Sequence, residues 1–217
     1  MTQQAIIQKT VEYIKKEFSD DSSGHDWWHI YRVWQTSLYI AAREKVDSDV
    51  VQLAALLHDI GDWKFHDGDE SVGPRLAREW LQSLDVQESV ISHVCTIIAN
   101  LSFKGADVKA APLSLEGQVV QDADRLDAIG AIGIARAFAY GGAKGREMHD
   151  PDAPPVLHSS FEQYKASRGT TINHFHEKLV LLKDRLNTPT AKALAESRHA
   201  FMLEFLEQFD AEWNING

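Results

Sequence analysis

From Val50 to Leu57 the chain reads Val-Val-Gln-Leu-Ala-Ala-Leu-Leu, and Gln52 is the only polar residue before His58. Asp47 upstream is suited to cap a helix and Gly61 downstream to stop one. The run therefore predicts a helix that is apolar on every side, and such a helix has to be wrapped by other elements. His58 and Asp59 then fall at its inner end, where an imidazole and a carboxylate need partners.

The rest of the chain supplies the wrapping as helices. Ile7, Val11, Ile14 and Phe18 recur at three- and four-residue steps and mark one face of a first helix. After a polar break over Ser19–Gly24, residues Trp27, Ile30, Val33, Trp34, Ser37 and Ala41 outline a second. Pro74 suits a first turn ahead of Leu76, Trp80, Leu81 and Leu84, and Val90, Ile91, Val94, Ile97 and Ile98 mark the helix that follows. Ser114 is a cap candidate for a helix through Val119, Ala123 and Leu126. The pattern extends that helix past Gly130 and Gly133 to Tyr140, with close packing compensating the two glycines. Gly141–Ser160 reads as the longest irregular stretch, of a length more typical of a lid or binding loop. Ile172, Phe175, Leu179, Leu182 and Leu186 predict one amphipathic helix. Thr188-Pro189 opens the last, with Leu194, Phe201, Phe205 and Phe209 inward. No alternating strand pattern of useful length and no internal repeat occurs. The expectation is an all-α, single-domain helical bundle of about eight or nine helices over residues 1–217.

Composition narrows what such a bundle can do. The net charge of −10 over 217 residues argues against a broad surface for gripping nucleic-acid polymers, and it repels anionic membranes. It leaves room for an anionic small molecule, because a bound cation with a few local Lys or Arg residues reverses the field inside a cleft. Cys95 is the only cysteine, so neither an internal disulfide nor a thiolate metal cluster is available. Met1–Lys9 lacks a secretory signal pattern, and no run of about 18 apolar residues suggests a membrane span, so the expected location is the cytoplasm. A homodimer stays open, since an apolar helix face at an interface reads like one in a core.

Three fragments carry chemistry: His29-Ile30-Tyr31-Arg32-Val33, His58-Asp59-Ile60-Gly61-Asp62, and Asp122-Ala123-Asp124-Arg125-Leu126-Asp127-Ala128. Each alone is common, and a histidine on an apolar helix is more often a hydrogen-bonded core residue than a ligand. In this order, on three helices, they resemble the HD-domain superfamily of metal-dependent phosphohydrolases, whose pattern is H…HD…D. The resemblance covers nearly the whole chain. In the stretches His25–Trp34, His58–Glu70 and Gln121–Arg136 it looks like a small single-domain bacterial branch, with a ligand-bearing core about 20–140 and C-terminal helices about 160–213 packing on it.

Two imidazoles and two carboxylates form a mixed nitrogen and oxygen set for one divalent metal ion. Mn is favoured, Fe, Co, Ni and Zn also suit the set, and Mg suits it less. His29, His58 and Asp59 supply three ligands. Asp122 and Asp124 are two apart, so only one of them faces the site on a helix. The superfamily's Ala-Asp-x-Leu context matches Asp124 and leaves Asp122 as a supporting or capping residue. The resemblance further implies that Asp62 orients the attacking water and that Asp67 handles a proton; the bland alternative is a solvated turn with acids at a helix start. Arg32, one turn from His29, and Lys104, beside a glycine, are the first choices as phosphate contacts, although a solvent-facing charge is the ordinary role of either. His25 and His93 raise the alternative of a second metal. Trp27, Trp28 and Trp63 read mainly as core residues, with base stacking as the alternative.

The implied function is hydrolysis of a small phosphorylated substrate, foremost a nucleotide, by a nucleoside triphosphate pyrophosphohydrolase or a nucleotidase. A cyclic-dinucleotide phosphodiesterase fits less well, because no Gly-Tyr-Pro motif occurs and Asp62 stands where that branch carries Lys. The competing readings are a di-iron oxygenase, which needs more imidazole ligands, and a nucleotide sensor without turnover.

Overall fold

The computed structural model describes residues 1–19, 26–61, 68–101, 112–157 and 169–215. These are all-α: nine α-helices, two short 3-10 turns and no strand among the described residues. The described residues divide into two compact units, one ending at Ala123 and the other starting at Asp124.

In the first unit lie α1 (Gln3–Glu17), α2 (Trp27–Glu44), α3 (Ser48–Leu57), α4 (Val72–Ser83), α5 (Glu88–Asn100) and most of α6 (Leu115–Asp127). The apolar run is α3, and its environment is the expected one. Val51, Leu53, Ala54, Ala55, Leu56 and Leu57 are fully buried, with α1, α2 and α5 packed around them. Gln52, the polar residue of the run, accepts a hydrogen bond from Trp34 Nε1 of α2 at 3.3 Å, which meets the cost of placing an amide there. The Asp47 carboxylate caps α3 by accepting from the backbone N–H groups of Asp49 and Val50. Beyond the helix, Gly61 adopts φ +67°, and a Cβ there would come within 2.7 Å of Val72 Cγ1 at the start of α4. The turn carrying His58 and Asp59 is thus seated against the next helix by a residue that only glycine satisfies without strain.

The second unit contains α7 (Gly130–Ala143), α8 (Thr171–Glu177), the 3-10 turns Leu179–Leu181 and Lys183–Arg185, and α9 (Pro189–Trp213). Its core holds an aromatic cluster in which Phe138, Phe175 and Phe205 have centroids 5.8–6.0 Å apart. Phe209 and Trp213 extend it along α9.

Four expectations are corrected here. The long helix expected to run through Gly130 is two helices. Ile129 is extended and Gly130 takes φ +74°, breaking the chain's course between α6 and α7. The glycine-rich pair Gly141-Gly142 belongs to α7, so irregular chain begins only after Ala143. The helix expected over Ile172–Leu186 is α8 followed by two 3-10 turns. All five apolar positions are nevertheless buried, and a step of three residues returns to nearly the same side in α and 3-10 backbone alike. Phe201 is 49% exposed rather than inward. The interior stripe of α9 runs instead through Ala191, Ala195 and Met202, closed by Phe205 and Phe209.

Candidate metal centre

Two histidines and one carboxylate meet where α2 and α3 come together. His29 lies in the first turn of α2, 1% exposed, with its position fixed by Asp26. That residue caps the helix, its carboxylate accepting from the backbone N–H of His29 at 2.9 Å. His58 follows the last residue of α3, and its Nδ1 lies 2.7 Å from the Ala55 carbonyl one turn back. A carbonyl only accepts, so Nδ1 donates, and Nε2 on the other side of the ring is turned away from it. Asp59, next in the chain, keeps its carboxylate mostly shielded from solvent.

The donor atoms converge. His29 Nε2 lies 3.2 Å from His58 Nε2 and 3.3 Å from Asp59 Oδ2, and His58 Nε2 lies 3.6 Å from Asp59 Oδ1. One ligand atom from each residue falls within 4.8 Å of the other two. Metal–ligand bonds of about 2.0–2.2 Å hold neighbouring donors roughly 2.8–3.6 Å apart, for angles between a right angle and the tetrahedral one. The observed separations lie inside that window. Two imidazole nitrogens and a carboxylate oxygen crowded together are also the mixed nitrogen and oxygen donor set that a divalent cation takes. The three residues therefore fit a divalent cation, and the residue that orients His58, the Ala55 carbonyl, is the outer-shell partner that ligating imidazoles require.

The other proposed site residues fall in different places. Asp124 is half-buried on α6 and is the residue at which the second unit begins; Asp122, two positions earlier, is fully buried. Arg32 is half-buried on α2, one turn from His29. Asp62, Asp67 and Lys104 lie outside the described residues, as do His25 and Trp63. His93 is engaged at the start of α6: its Nε2 is 2.7 Å from Ser114 Oγ and 3.6 Å from Glu116 Oε2. Ser114 also accepts from the backbone N–H of Gly117, the capping role expected of it. Trp27 is partly covered by Lys15, whose Nζ sits 5.0 Å from the ring centroid, whereas Trp28 is 61% exposed.

Sequence reasoning overlooked two supporting groups. Asp26 was legible, since an Asp immediately before an apolar-periodic run is a helix-start signal. The Ala55 carbonyl was not, because a backbone acceptor has no sequence signature.

The family described as HD domain matches residues 27–129, a span that contains His29, His58, Asp59 and Asp124. The protein YpgQ of Bacillus subtilis (strain 168) is 40% identical over 201 residues, 92% of this chain and 90% of that protein. A crystal structure of YpgQ in complex with ADP superposes with a TM-score of 0.73 at 35% identity, covering 95% of this chain and 97% of that one. An HD-superfamily hydrolase from Bacillus thuringiensis gives a TM-score of 0.74 at 45% identity over 98% of this chain and 99% of the other. A crystal structure from Lactobacillus plantarum gives 0.90 at 40% identity with both chains covered in full. With that similarity running along nearly its whole length and the paired histidines and aspartate in place, the chain belongs to the HD-domain superfamily.

Proposed function

We propose that this protein is a divalent-metal-dependent phosphohydrolase acting on a nucleotide, as a nucleoside triphosphate pyrophosphohydrolase or a nucleotidase. The observation that carries the reading is the convergence of His29, His58 and Asp59 at the buried end of α3. The nucleotide part rests on the relationship to YpgQ, a protein crystallised with ADP.

In this reading Asp124 is the fourth ligand, assigned by its Ala-Asp-Arg-Leu context, and Asp122 supports it. The favoured metal is Mn. When bound, it lowers the pKa of a water molecule and offsets charge on the phosphoryl group. The chain's own residues do the rest. His58, locked by Ala55, offers Nε2 in a fixed direction. Asp62 orients the attacking water, and Asp67 exchanges a proton with the nucleophile or the leaving group. Arg32 and Lys104 hold the phosphate oxygens by charge-assisted hydrogen bonds.

The test is product analysis on a nucleotide panel with metal-stripped protein, restoring Mn, Co, Ni, Mg and Zn one at a time, beside His58→Ala/Asp59→Ala. Metal-dependent turnover that disappears in the variant supports the reading, and the product (phosphate or pyrophosphate) names the subclass. Two tightly bound irons without nucleotide turnover would replace it with an oxygenase. Tight nucleotide binding with no turnover under any metal would replace it with a sensor.

A further inference from the structure

The turn that follows α3 and the first turn of α4 meet through two glycines, one from each side. A Cβ on Gly61 would stand 3.1 Å from the backbone nitrogen of Gly73. Gly73, buried near the start of α4, returns the fit: a Cβ on it would lie 2.8 Å from the Ile60 carbonyl oxygen and 3.6 Å from that of Gly61. The two positions are glycine for different reasons. Gly61 has a positive φ, whereas Gly73 lies within α4 and has none. Alanine at 73 would favour the helix by about 0.5–1 kcal/mol. Backbone conformation therefore does not call for glycine there; the approach of the Ile60 carbonyl does.

What yields to an added Cβ is decided by α5. The Cys95 thiol donates to the Pro74 carbonyl, in the first turn of α4, at 3.3 Å. Arg78, one turn further on, donates to Glu88 and Ser92 of α5. Ile98 Cγ2, also on α5, would already touch the new Cβ at 3.4 Å. With α4 held in this way, the turn gives, and its Ile60 carbonyl is one peptide beyond Asp59. Relief from 2.8 Å to ordinary contact requires about half an ångström of movement. Even half of that exceeds the tolerance of a metal–ligand bond, about 0.2 Å.

We infer that Gly73 is a positioning residue for metal binding: bare of a side chain, it lets α4 brace the Ile60 carbonyl and so holds the Asp59 carboxylate in register with the nitrogens of His29 and His58. The inference rests on the metal reading of those three residues, which lie with Gly73 in the first unit, and on no other ligand. Gly73 touches neither metal nor substrate; it acts through the turn, as outer-shell partners act on the ligands they orient. Loss of such support lowers metal affinity on the order of 10–100-fold.

The experiment is a Mn titration of the metal-stripped full-length chain, following free Mn by electron paramagnetic resonance, with melting of the metal-free protein recorded alongside. Gly73→Ala should weaken Mn binding about tenfold. Adding Ile98→Ala gives α4 room to move in place of the turn. The double variant should regain part of the lost affinity while melting lower still, a recovery that a purely structural role would not produce. Leu81→Ala, buried on the same helix about two turns further along, should lower the melting temperature with Mn affinity unchanged. Cys95→Ala releases the brace without adding an atom. It should weaken binding by a smaller factor, and it decides the matter if Gly73→Ala does not fold. Parent-like affinity in Gly73→Ala would overturn the positioning role, and so would parent-like affinity in Cys95→Ala beside an unfolded Gly73→Ala. A loss in Leu81→Ala equal to that in Gly73→Ala would overturn it too, since binding would then follow the stability of α4 alone. His58→Ala/Asp59→Ala should abolish tight binding; parent-like affinity there would remove the metal centre itself, and the inference with it.

Discussion

Replacing Gly130 by Ala tests the junction between α6 and α7 directly. The backbone there has φ +74°, where an L-residue with a Cβ is disfavoured by about 1–2 kcal/mol. The added Cβ would meet Arg198 Cβ at 2.9 Å, Cγ at 3.1 Å and Cα at 3.3 Å. These atoms belong to the root of the side chain and to a helix backbone, so they cannot swing aside, and overpacking of this kind costs about 1–3 kcal/mol. The two contributions together come to about 3 kcal/mol. For a chain of this size about 2–4 °C of melting temperature is lost per kcal/mol, which gives a fall of about 9 °C. Gly142→Ala is the internal control. Gly142 lies within α7 with nothing within 4 Å of its would-be Cβ, so the substitution should raise stability by about 0.4–1 kcal/mol through the unfolded state. Calorimetry of the metal-stripped variants reads both. If Gly130→Ala melts within about 2 °C of the parent, the strain argument for this junction is wrong.

Three further outcomes follow from particular contacts. Asp26→Ala removes the carboxylate that caps α2 on the N–H of His29, so it should cost about 1 kcal/mol in denaturant unfolding and also weaken Mn binding; an unchanged Mn affinity would separate the cap from the metal centre. Glu88 accepts from Arg78 at 2.5 Å and from Ser92 at 2.7 Å, and these contacts hold its pKa below the ordinary carboxylate range. The stabilisation from this depressed pKa is present above the unfolded-state pKa and disappears as pH falls through the folded one; a carboxylate titration by NMR should show Glu88 moving upward in Arg78→Ala, and no movement would discount the pair. The Cys95 thiol is buried beside the Pro74 carbonyl at 3.3 Å, and burial raises its pKa despite Arg78 nearby. It should react with a thiol reagent much more slowly in the native state than in denaturant, and equal rates would contradict its placement.

Much of this protein was legible in its sequence. Local periodicity and capping chemistry act over one or two turns, so α3, its Asp47 cap, its Gly61 stop and the helices around it follow from residues close together in the chain. The histidines and aspartate stood out for the same reason, as polar groups at the end of a run that must be buried. What the sequence left undecided depends on partners distant in the chain. That the residue at the α6–α7 break has to be a glycine depends on Arg198, 68 residues later, whose Cβ would lie 2.9 Å from an added Cβ. The buried stripe of α9 was decided by which helices pack against it, and this leaves Phe201 outside while Ala191, Ala195 and Met202 go in. The residues from Ile172 to Leu186 kept their apolar pattern while the backbone tightened into 3-10 turns, because burial constrains where side chains go and not which hydrogen bonds carry them there. Likewise the sequence named His58 as a ligand, but only the folded chain brought its Nε2 to 3.2 Å from that of His29, since side chains 29 residues apart converge through helix packing and not through any local rule.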